Sequence, residues 1–144
     1  MARKIVFLNG PPRCGKDTAA KFIHREFMHA PHYATLLKFS KPLKDGCRAL
    51  YNITDEELRE FEQDKEAPRD KLLGQSWRQA QISMSEEYMK PVFGSDVFGR
   101  LLFRRFRASP TGMGVISDSG FEQEAVPLIQ AYGVDNCLIV QLQR

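Results

Sequence analysis

Two glycines and a lysine near the amino terminus have the spacing of a phosphate-binding loop. Gly10 is followed by four residues and then by Gly15 and Lys16, between the apolar run 5–8 and a helical pattern. Glycines let backbone N–H groups turn toward an anion where a side chain would clash. A helix that begins there directs its positive end at the anion, and the lysine can reach the outer phosphates of a nucleotide. The pattern therefore predicts binding of a phosphorylated ligand.

The loop departs from the usual pattern at the residue after the lysine. A Ser or Thr is usual there, whereas this chain has Asp17 and places the hydroxyl one residue later, at Thr18. An anionic Asp17 near phosphates requires a metal ion or a basic neighbour. The alternative to a phosphate-binding loop is a glycine-rich turn before an ordinary helix. The strand, the two glycines, the lysine and the helix nevertheless occur in the order and at the spacing of a phosphate-binding loop. The predicted nucleotide-binding residues are Gly10, Pro11, Arg13, Cys14, Gly15, Lys16, Asp17 and Thr18.

Length and composition are those of a globular domain. The 144 residues are 42% hydrophobic and 27% charged, which is typical of a chain with its own core. The net charge of +3 does not indicate a nucleic-acid binder. Three separated cysteines favour a reducing compartment, and no apolar run approaches the roughly 20 residues of a membrane span. We expect one cytoplasmic domain over 1–144, in the host cytoplasm if the chain is viral, with neither nucleic acid nor membrane as partner.

Four short apolar runs have the length of buried strands, and they lie at residues 3–9, 34–39, 113–117 and 137–142. A helix is predicted from about residue 16 to residue 28, with a break at 29–32. Buried strands alternating with helices indicate a three-layer α/β/α fold with a parallel sheet. About seventy residues without a convincing strand separate the second and third runs. Residues 41–110 are therefore predicted to form a helical insertion over the carboxyl ends of the strands, where ligands bind in such sheets.

One carboxylate and two arginines are further candidates for chemistry on phosphates. Asp118 ends the third predicted strand, where an acid can hold Mg²⁺ directly or through water; a helix cap is the alternative. Arg13 lies in the loop, and Arg105 falls among apolar residues of its predicted helix, so it is expected to be paired or to point into a cleft. The alternative for Arg105 is a stem over apolar surface with its head in water. The predicted metal ligands are Thr18, Asp17 and Asp118, and the predicted catalytic residues are Lys16, Arg13, Asp118 and Arg105.

The predicted insertion offers basic residues for an acceptor phosphate. The candidates are Lys44, Arg69 and Arg78. The only support for each of them is its own positive charge. Trp77 could stack on a base, but core packing is the favoured interpretation. The acidic run 55–66 is interpreted as a solvent-exposed face.

The loop resembles that of nucleoside monophosphate kinases, which place Thr two residues after the Lys. Gly-Lys-Asp-Thr followed by Ala-Ala is most similar to the bacteriophage-type deoxynucleoside monophosphate kinases, as are segments 39–44, 76–79 and 117–125. The resemblance implies a P-loop kinase fold with strand order 2-3-1-4-5, and ATP and Mg²⁺ as cofactors. It also implies a deoxynucleoside monophosphate acceptor that faces Arg69 and Arg78.

Two departures from that family accompany the resemblance. The family has Arg two residues after the Asp of the 117–125 segment, where this chain has Gly120, and the chain stops before a lid, a fifth strand and a final helix. The expected sheet is therefore ordered 2-3-1-4, with an open edge that a homodimer or a partner chain would cover. The expected function is ATP-dependent phosphoryl transfer to a (deoxy)nucleoside monophosphate. The alternative is a nucleotide-binding module, a truncated or degenerate kinase relative that acts through a partner protein.

Overall fold

The computed structural model describes residues 2–28 and 33–143, and its strands form a single four-stranded sheet. All pairings are parallel, and the strand order is β2-β3-β1-β4. The α/β fold with a parallel sheet ordered 2-3-1-4, predicted from the sequence, is confirmed. The strands are β1 (Lys4–Asn9), β2 (Ala34–Leu37), β3 (Met113–Ser119) and β4 (Cys137–Gln141).

Helices fill most of the remaining described chain. A π-helix, Ser83–Met89, joins two of them, and short 3₁₀ helices lie at Asp70–Leu72 and Val134–Asn136. The helix break predicted at 29–32 lies outside the described residues. In the part of the chain that the structure describes, no helix is long and apolar enough to cross a membrane. The α-helices are α1 (Lys16–Glu26), α2 (Lys41–Leu50), α3 (Asp55–Gln63), α4 (Trp77–Ile82), α5 (Lys90–Phe93), α6 (Val97–Ala108) and α7 (Glu122–Tyr132).

The chain forms two compact units. The sheet unit comprises residues 1–40 and 96–144, and the helical unit comprises residues 41–95. The helical region begins where the sequence predicts it, but it ends at Ser95 rather than near residue 110, so that α6 belongs to the sheet unit. The reason is packing, since α6 contacts β2 and α7.

The sheet unit buries both faces of its central strands. Successive β1 residues point to opposite faces, so that Val6 and Leu8 pack in one cluster with Ala20 of α1, while Phe7 stacks on Phe39 on the other face. At Gly99 of α6 an added Cβ would lie 2.1 Å from the carbonyl oxygen of residue 124. The close contact of α6 with α7 therefore depends on the missing side chain at Gly99.

The helical unit has its own core around the only tryptophan. Trp77 is fully buried and its ring packs at 6.2 Å from that of Phe61, which confirms the prediction that it is a core residue. Reciprocal capping boxes begin two of the helices, from Thr54 to Glu57 and from Ser76 to Gln79. Each box satisfies two backbone N–H groups at a helix start. The remaining buried members of this core are Cys47, Ile53, Leu72 and Ala80.

Candidate phosphate-binding site

The loop between β1 and α1 has the backbone that its glycine spacing predicts. Gly15 has φ 92° and Arg13 has φ 61°, both in the left-handed region that side chains disfavour. At Gly10 an added Cβ would lie 2.6 Å from the carbonyl oxygen of Leu142 and 2.7 Å from Cys14 Sγ. The loop conformation therefore requires glycine at Gly10 and at Gly15.

The amino-terminal end of α1 is open to a ligand. Gly15 occupies the N-cap position and no side chain caps the helix, so the N–H groups of the first turn keep their hydrogen-bonding capacity. A Cβ built on Gly15 would meet nothing within 4 Å, which indicates free space over the loop. Uncapped N–H groups beside free space form an anion site at a helix start.

The Lys16 ammonium lies across this loop. Its Nζ donates hydrogen bonds to the carbonyl oxygens of Gly10 at 2.7 Å and Pro11 at 2.8 Å, and lies 3.8 Å from Cys14 Sγ. The positive charge is therefore held within the loop itself, rather than extended into solvent. Its partners are neutral carbonyls, which a phosphate oxygen can replace as a stronger acceptor.

Asp17 has a basic neighbour, as an anionic side chain beside a phosphate site requires. Lys38 Nζ lies 2.8 Å from its Oδ1. The hydrogen bond from Lys38 lowers the pKa of Asp17; partial burial opposes this effect, and a hydrogen bond from Ser117 adds to it. Sequence reasoning missed Lys38, although it directly follows β2 and the carboxyl ends of parallel strands share one edge.

Asp118 links the carboxyl end of β3 to the residues that follow β2. Its Oδ1 accepts the N–H of Phe39 at 2.8 Å and its Oδ2 accepts that of Ser40 at 3.0 Å. The alternative prediction, a cap on the following helix, is wrong, because the N-cap of α7 is Phe121 and no side chain caps it. A carboxylate has about four acceptor positions, so two of them remain for a further donor or a metal.

Sheet register brings these groups to one edge. Asn9, the residue before the loop, pairs with Ser119 of β3 and with Gln141 of β4. The loop, the Asp17–Lys38 pair and Asp118 therefore lie at the carboxyl ends of β1, β2 and β3, where open α/β sheets bind ligands.

Three predicted residues lie at the surface without a resolved role. Arg13 in the loop and Thr18 in the first turn of α1 are exposed. Arg105, expected inside the apolar face of α6, is also exposed, because the buried stripe of that helix runs through Phe98, Leu102 and Phe106. It lies at the margin of that stripe, in the last turn of α6.

The predicted acceptor residues of the helical unit are all ion-paired there. Lys44 Nζ lies 2.9 Å from Glu62 Oε1, and Arg78 pairs with Glu66. Arg69 Nη1 lies 2.5 Å from Glu60 Oε1. The guanidinium carbon of Arg69 lies 4.9 Å from the centroid of the Phe61 ring. The acids of the run 55–66 are therefore not simply a solvated face, because several of them hold the basic residues of this unit. The sequence predicted both sets of charges but not their pairing.

Glu62 is the centre of this pairing. It accepts from the Trp77 indole N–H at 3.0 Å, in addition to Lys44, and lies 3.1 Å from Lys65. Burial opposes its ionisation, but the hydrogen bonds from Lys44 and Trp77, with the charge of Lys44, lower its pKa from 4.5 to about 2. Glu62, whose side chain is 31% exposed, therefore stays ionised at the margin of the helical core.

Comparison with protein-family models and with curated proteins gives no match. Among residues 2–28 and 33–143, no three His, Cys, Asp or Glu side chains converge on a common metal position. The geometry of the loop and of the sheet edge is therefore the basis on which a function can be assigned.

Asp118→Asn is expected to lower the free energy of unfolding by about 1–3 kcal/mol, because an amide NH₂ in place of one oxygen leaves a backbone N–H without an acceptor. Thermal unfolding followed by far-UV circular dichroism measures the loss. Asp17→Asn is the matched control, since its exposed pair with Lys38 contributes under about 1 kcal/mol. Equal losses in the two variants would contradict the structural role of Asp118.

The helical unit is expected to lose stability below pH 4.5. Glu62 titrates near 2 when folded and near 4.5 when unfolded, so its ionised form stabilises the unit fully above pH 4.5 and progressively less as the pH falls toward 2. Urea unfolding followed by Trp77 fluorescence, between pH 7 and pH 2, measures the decline. Glu62→Gln should flatten this decline and Glu56→Gln, an exposed acid of α3, should not; identical profiles for the two variants would refute the assignment.

Proposed function

We propose that this protein is a P-loop kinase that transfers a phosphoryl group from ATP to a (deoxy)nucleoside monophosphate. The observation that carries the proposal is the loop 10–15, in which Arg13 and Gly15 have left-handed backbone and no side chain caps the helix start. Free space surrounds the Cβ position of Gly15, and the Lys16 ammonium is held by the loop carbonyls. The resemblance of the loop sequence to bacteriophage-type deoxynucleoside monophosphate kinases supplies the reaction and the acceptor class.

The triphosphate of ATP fits the loop as an anion. Its oxygens would take the backbone N–H groups of residues 13–18, because Pro11 and Pro12 carry no N–H. Lys16 would exchange its two carbonyl partners for phosphate. The exchange is favourable because a charged acceptor makes the stronger hydrogen bond. Arg13, exposed in the same loop, would add a second cation near the phosphates.

Mg²⁺ fits the oxygen donors at the same edge. The Thr18 hydroxyl and the unused acceptor positions of Asp118 would hold it, directly or through water. When bound, it neutralises charge on the phosphates. Asp17, predicted as a third ligand, is engaged by Lys38, so we propose that it acts as a charge partner instead.

The chain contributes position and charge rather than a covalent intermediate. Lys44, Arg69 and Arg78 remain the proposed acceptor residues. Because each already pairs with a carboxylate, an acceptor phosphate would have to replace that carboxylate. Arg69 is the best placed for such an exchange, because its guanidinium stacks on the ring of Phe61. A planar guanidinium can also hold a phosphate through two hydrogen bonds.

One observation favours the alternative, a nucleotide-binding module that acts through a partner. Among residues 2–28 and 33–143, β4 pairs only with β1, and its Leu138 and Ile139 are each 59% exposed. An exposed apolar edge strand is a template for another strand, so we propose that a second copy or a partner chain covers it. Light scattering, which measures the oligomeric state, tests whether a second copy of the chain covers β4.

The test of function is phosphoryl transfer from ATP and Mg²⁺ to a panel of nucleoside and deoxynucleoside monophosphates. The three cysteines are free thiols, which suits the proposed cytoplasmic location, so a reductant is included. We expect turnover on one or a few acceptors, and a loss of at least about a hundredfold in Lys16→Ala, since a phosphate-binding cation acts on the transition state. Lys4→Ala, an exposed lysine at the other end of β1, is the matched control.

Turnover that survives in Lys16→Ala would contradict the assignment of the loop. Absence of turnover, together with ATP binding that depends on Lys16, would exclude the kinase for this chain and leave the nucleotide-binding module. Absence of both would exclude both functions.

A further inference from the structure

Lys38 is a basic residue beside the candidate phosphate site whose ammonium has no part in the phosphoryl transfer proposed above. It directly follows β2, and its Nζ lies 2.8 Å from Oδ1 of Asp17. Asp17 is the second residue of α1, in the turn whose N–H groups are expected to receive phosphate. The ammonium of Lys38 therefore lies one side chain away from the start of α1.

The carboxylate of Asp17 is held from two strands of the sheet. Lys38 approaches it from the end of β2, and Ser117, a buried residue of β3, donates a hydrogen bond to it. The hydrogen bond from Lys38 is the largest cause of the lowered pKa of Asp17. Because Asp17 stays ionised, it holds the ammonium of Lys38 against the first turn of α1.

The ammonium of Lys38 has unused donors and is accessible to a ligand. A lysine ammonium carries three N–H donors. In residues 2–28 and 33–143, the structure shows one ion-pair partner for it, Asp17, which takes one donor. The side chain of Lys38 is 45% exposed, so a ligand at the start of α1 can reach the other donors without displacing Asp17.

The charges at this edge favour a further cation on a bound nucleotide. Lys16 and Arg13 supply two positive charges in the loop. Asp17 and Asp118 supply two negative charges at the same edge, so these four charges cancel. A triphosphate remains anionic even with one Mg²⁺ bound, and cations that contact the phosphates stabilise the transition state of phosphoryl transfer. Lys38 is a cation at this edge whose position the structure fixes.

We propose that Lys38 donates a hydrogen bond to a phosphate oxygen of the nucleotide bound at the start of α1, with Asp17 as the residue that positions its ammonium. This assignment rests on the proposed function, because it takes the loop as the phosphate site. Lys38 then contacts the substrate directly, whereas Asp17 acts through Lys38.

The test is titration of ATP with Mg²⁺, and separately of inorganic triphosphate, into the whole protein by isothermal calorimetry. Lys38→Met, which keeps an apolar stem and removes the charge, should weaken binding of both ligands about tenfold. Lys38→Arg should retain most of the affinity, because a guanidinium also donates hydrogen bonds to phosphate. Equal weakening for triphosphate and for ATP places the contact on the phosphates rather than on the nucleoside.

Lys21→Met is the matched control for long-range charge. Lys21 is an exposed lysine of α1, and its charge lowers the pKa of Asp17 less than the hydrogen bond from Lys38 does. Its removal should weaken binding by less than about threefold, because exposed charges without contact are screened by salt. Equal losses in Lys21→Met and Lys38→Met would overturn the proposal. The midpoint of thermal unfolding should hardly move in either variant, since exposed ion pairs contribute little to stability.

A double variant separates contact with phosphate from neutralisation of Asp17. Lys38→Met leaves the carboxylate of Asp17 without its partner, and that charge would itself repel phosphate. If Lys38 contacts phosphate, Lys38→Met should still weaken binding when it is made in the Asp17→Asn protein. Loss of the effect in that background would overturn the proposal and leave Lys38 as a partner of Asp17 alone.

Failure of the proposed function would give a different result. ATP binding and phosphoryl transfer that depend on Lys16 but not on Lys38 would overturn the Lys38 contact and leave the kinase proposal unaffected. Triphosphate binding that depends on Lys38, without phosphoryl transfer to any acceptor, would contradict the kinase and support the contact. Binding of neither ligand by the wild-type protein would overturn both.

Discussion

The parallel pairing of β1 with β3 determines where every group of the candidate site lies. Because parallel strands end at the same edge, the loop after Asn9 begins beside Ser119, and Asp118 comes to lie next to the end of β2. Asp118 then holds that end through two backbone N–H groups. A shift of this register would separate the loop from Asp118, and a shift by one residue would move each side chain to the opposite face, away from its present packing partners.

Several of the charged residues predicted to bind phosphates are already paired within the protein. The Lys16 ammonium is held by loop carbonyls, and Asp17 is paired with Lys38. The three predicted acceptor residues of the helical unit are paired with acids of the run 55–66. A phosphorylated ligand would therefore exchange one set of hydrogen bonds for another, and its affinity would be the difference between them. Neutral carbonyls are weak competitors and carboxylates are strong ones, so the loop should bind phosphate more readily than Arg69 or Arg78.

Local patterns predicted the sheet and the loop, whereas tertiary pairing determined what the sequence did not predict. Apolar runs and glycine spacing are local signals, so the four strands and the loop conformation follow the prediction. The order of the strands follows what the family resemblance implies. Lys38 and Glu62 gain their roles from residues distant in the sequence, which no periodicity reveals. The helical unit ends at Ser95, earlier than the predicted end near residue 110. The helical pattern of α6 does not reveal that this helix packs on β2 and α7, which places it in the sheet unit.

If this protein binds ATP as proposed, backbone N–H groups at the start of α1 receive the phosphates. Amide chemical shifts of the ¹⁵N-labelled protein, recorded with ATP and Mg²⁺ and separately with adenosine, measure this contact. We expect large shifts at Gly15, Lys16 and Asp17 with ATP and none there with adenosine, because only the phosphates would approach these N–H groups. Unchanged amides in the loop at saturating ATP, or equal shifts with adenosine, would contradict it.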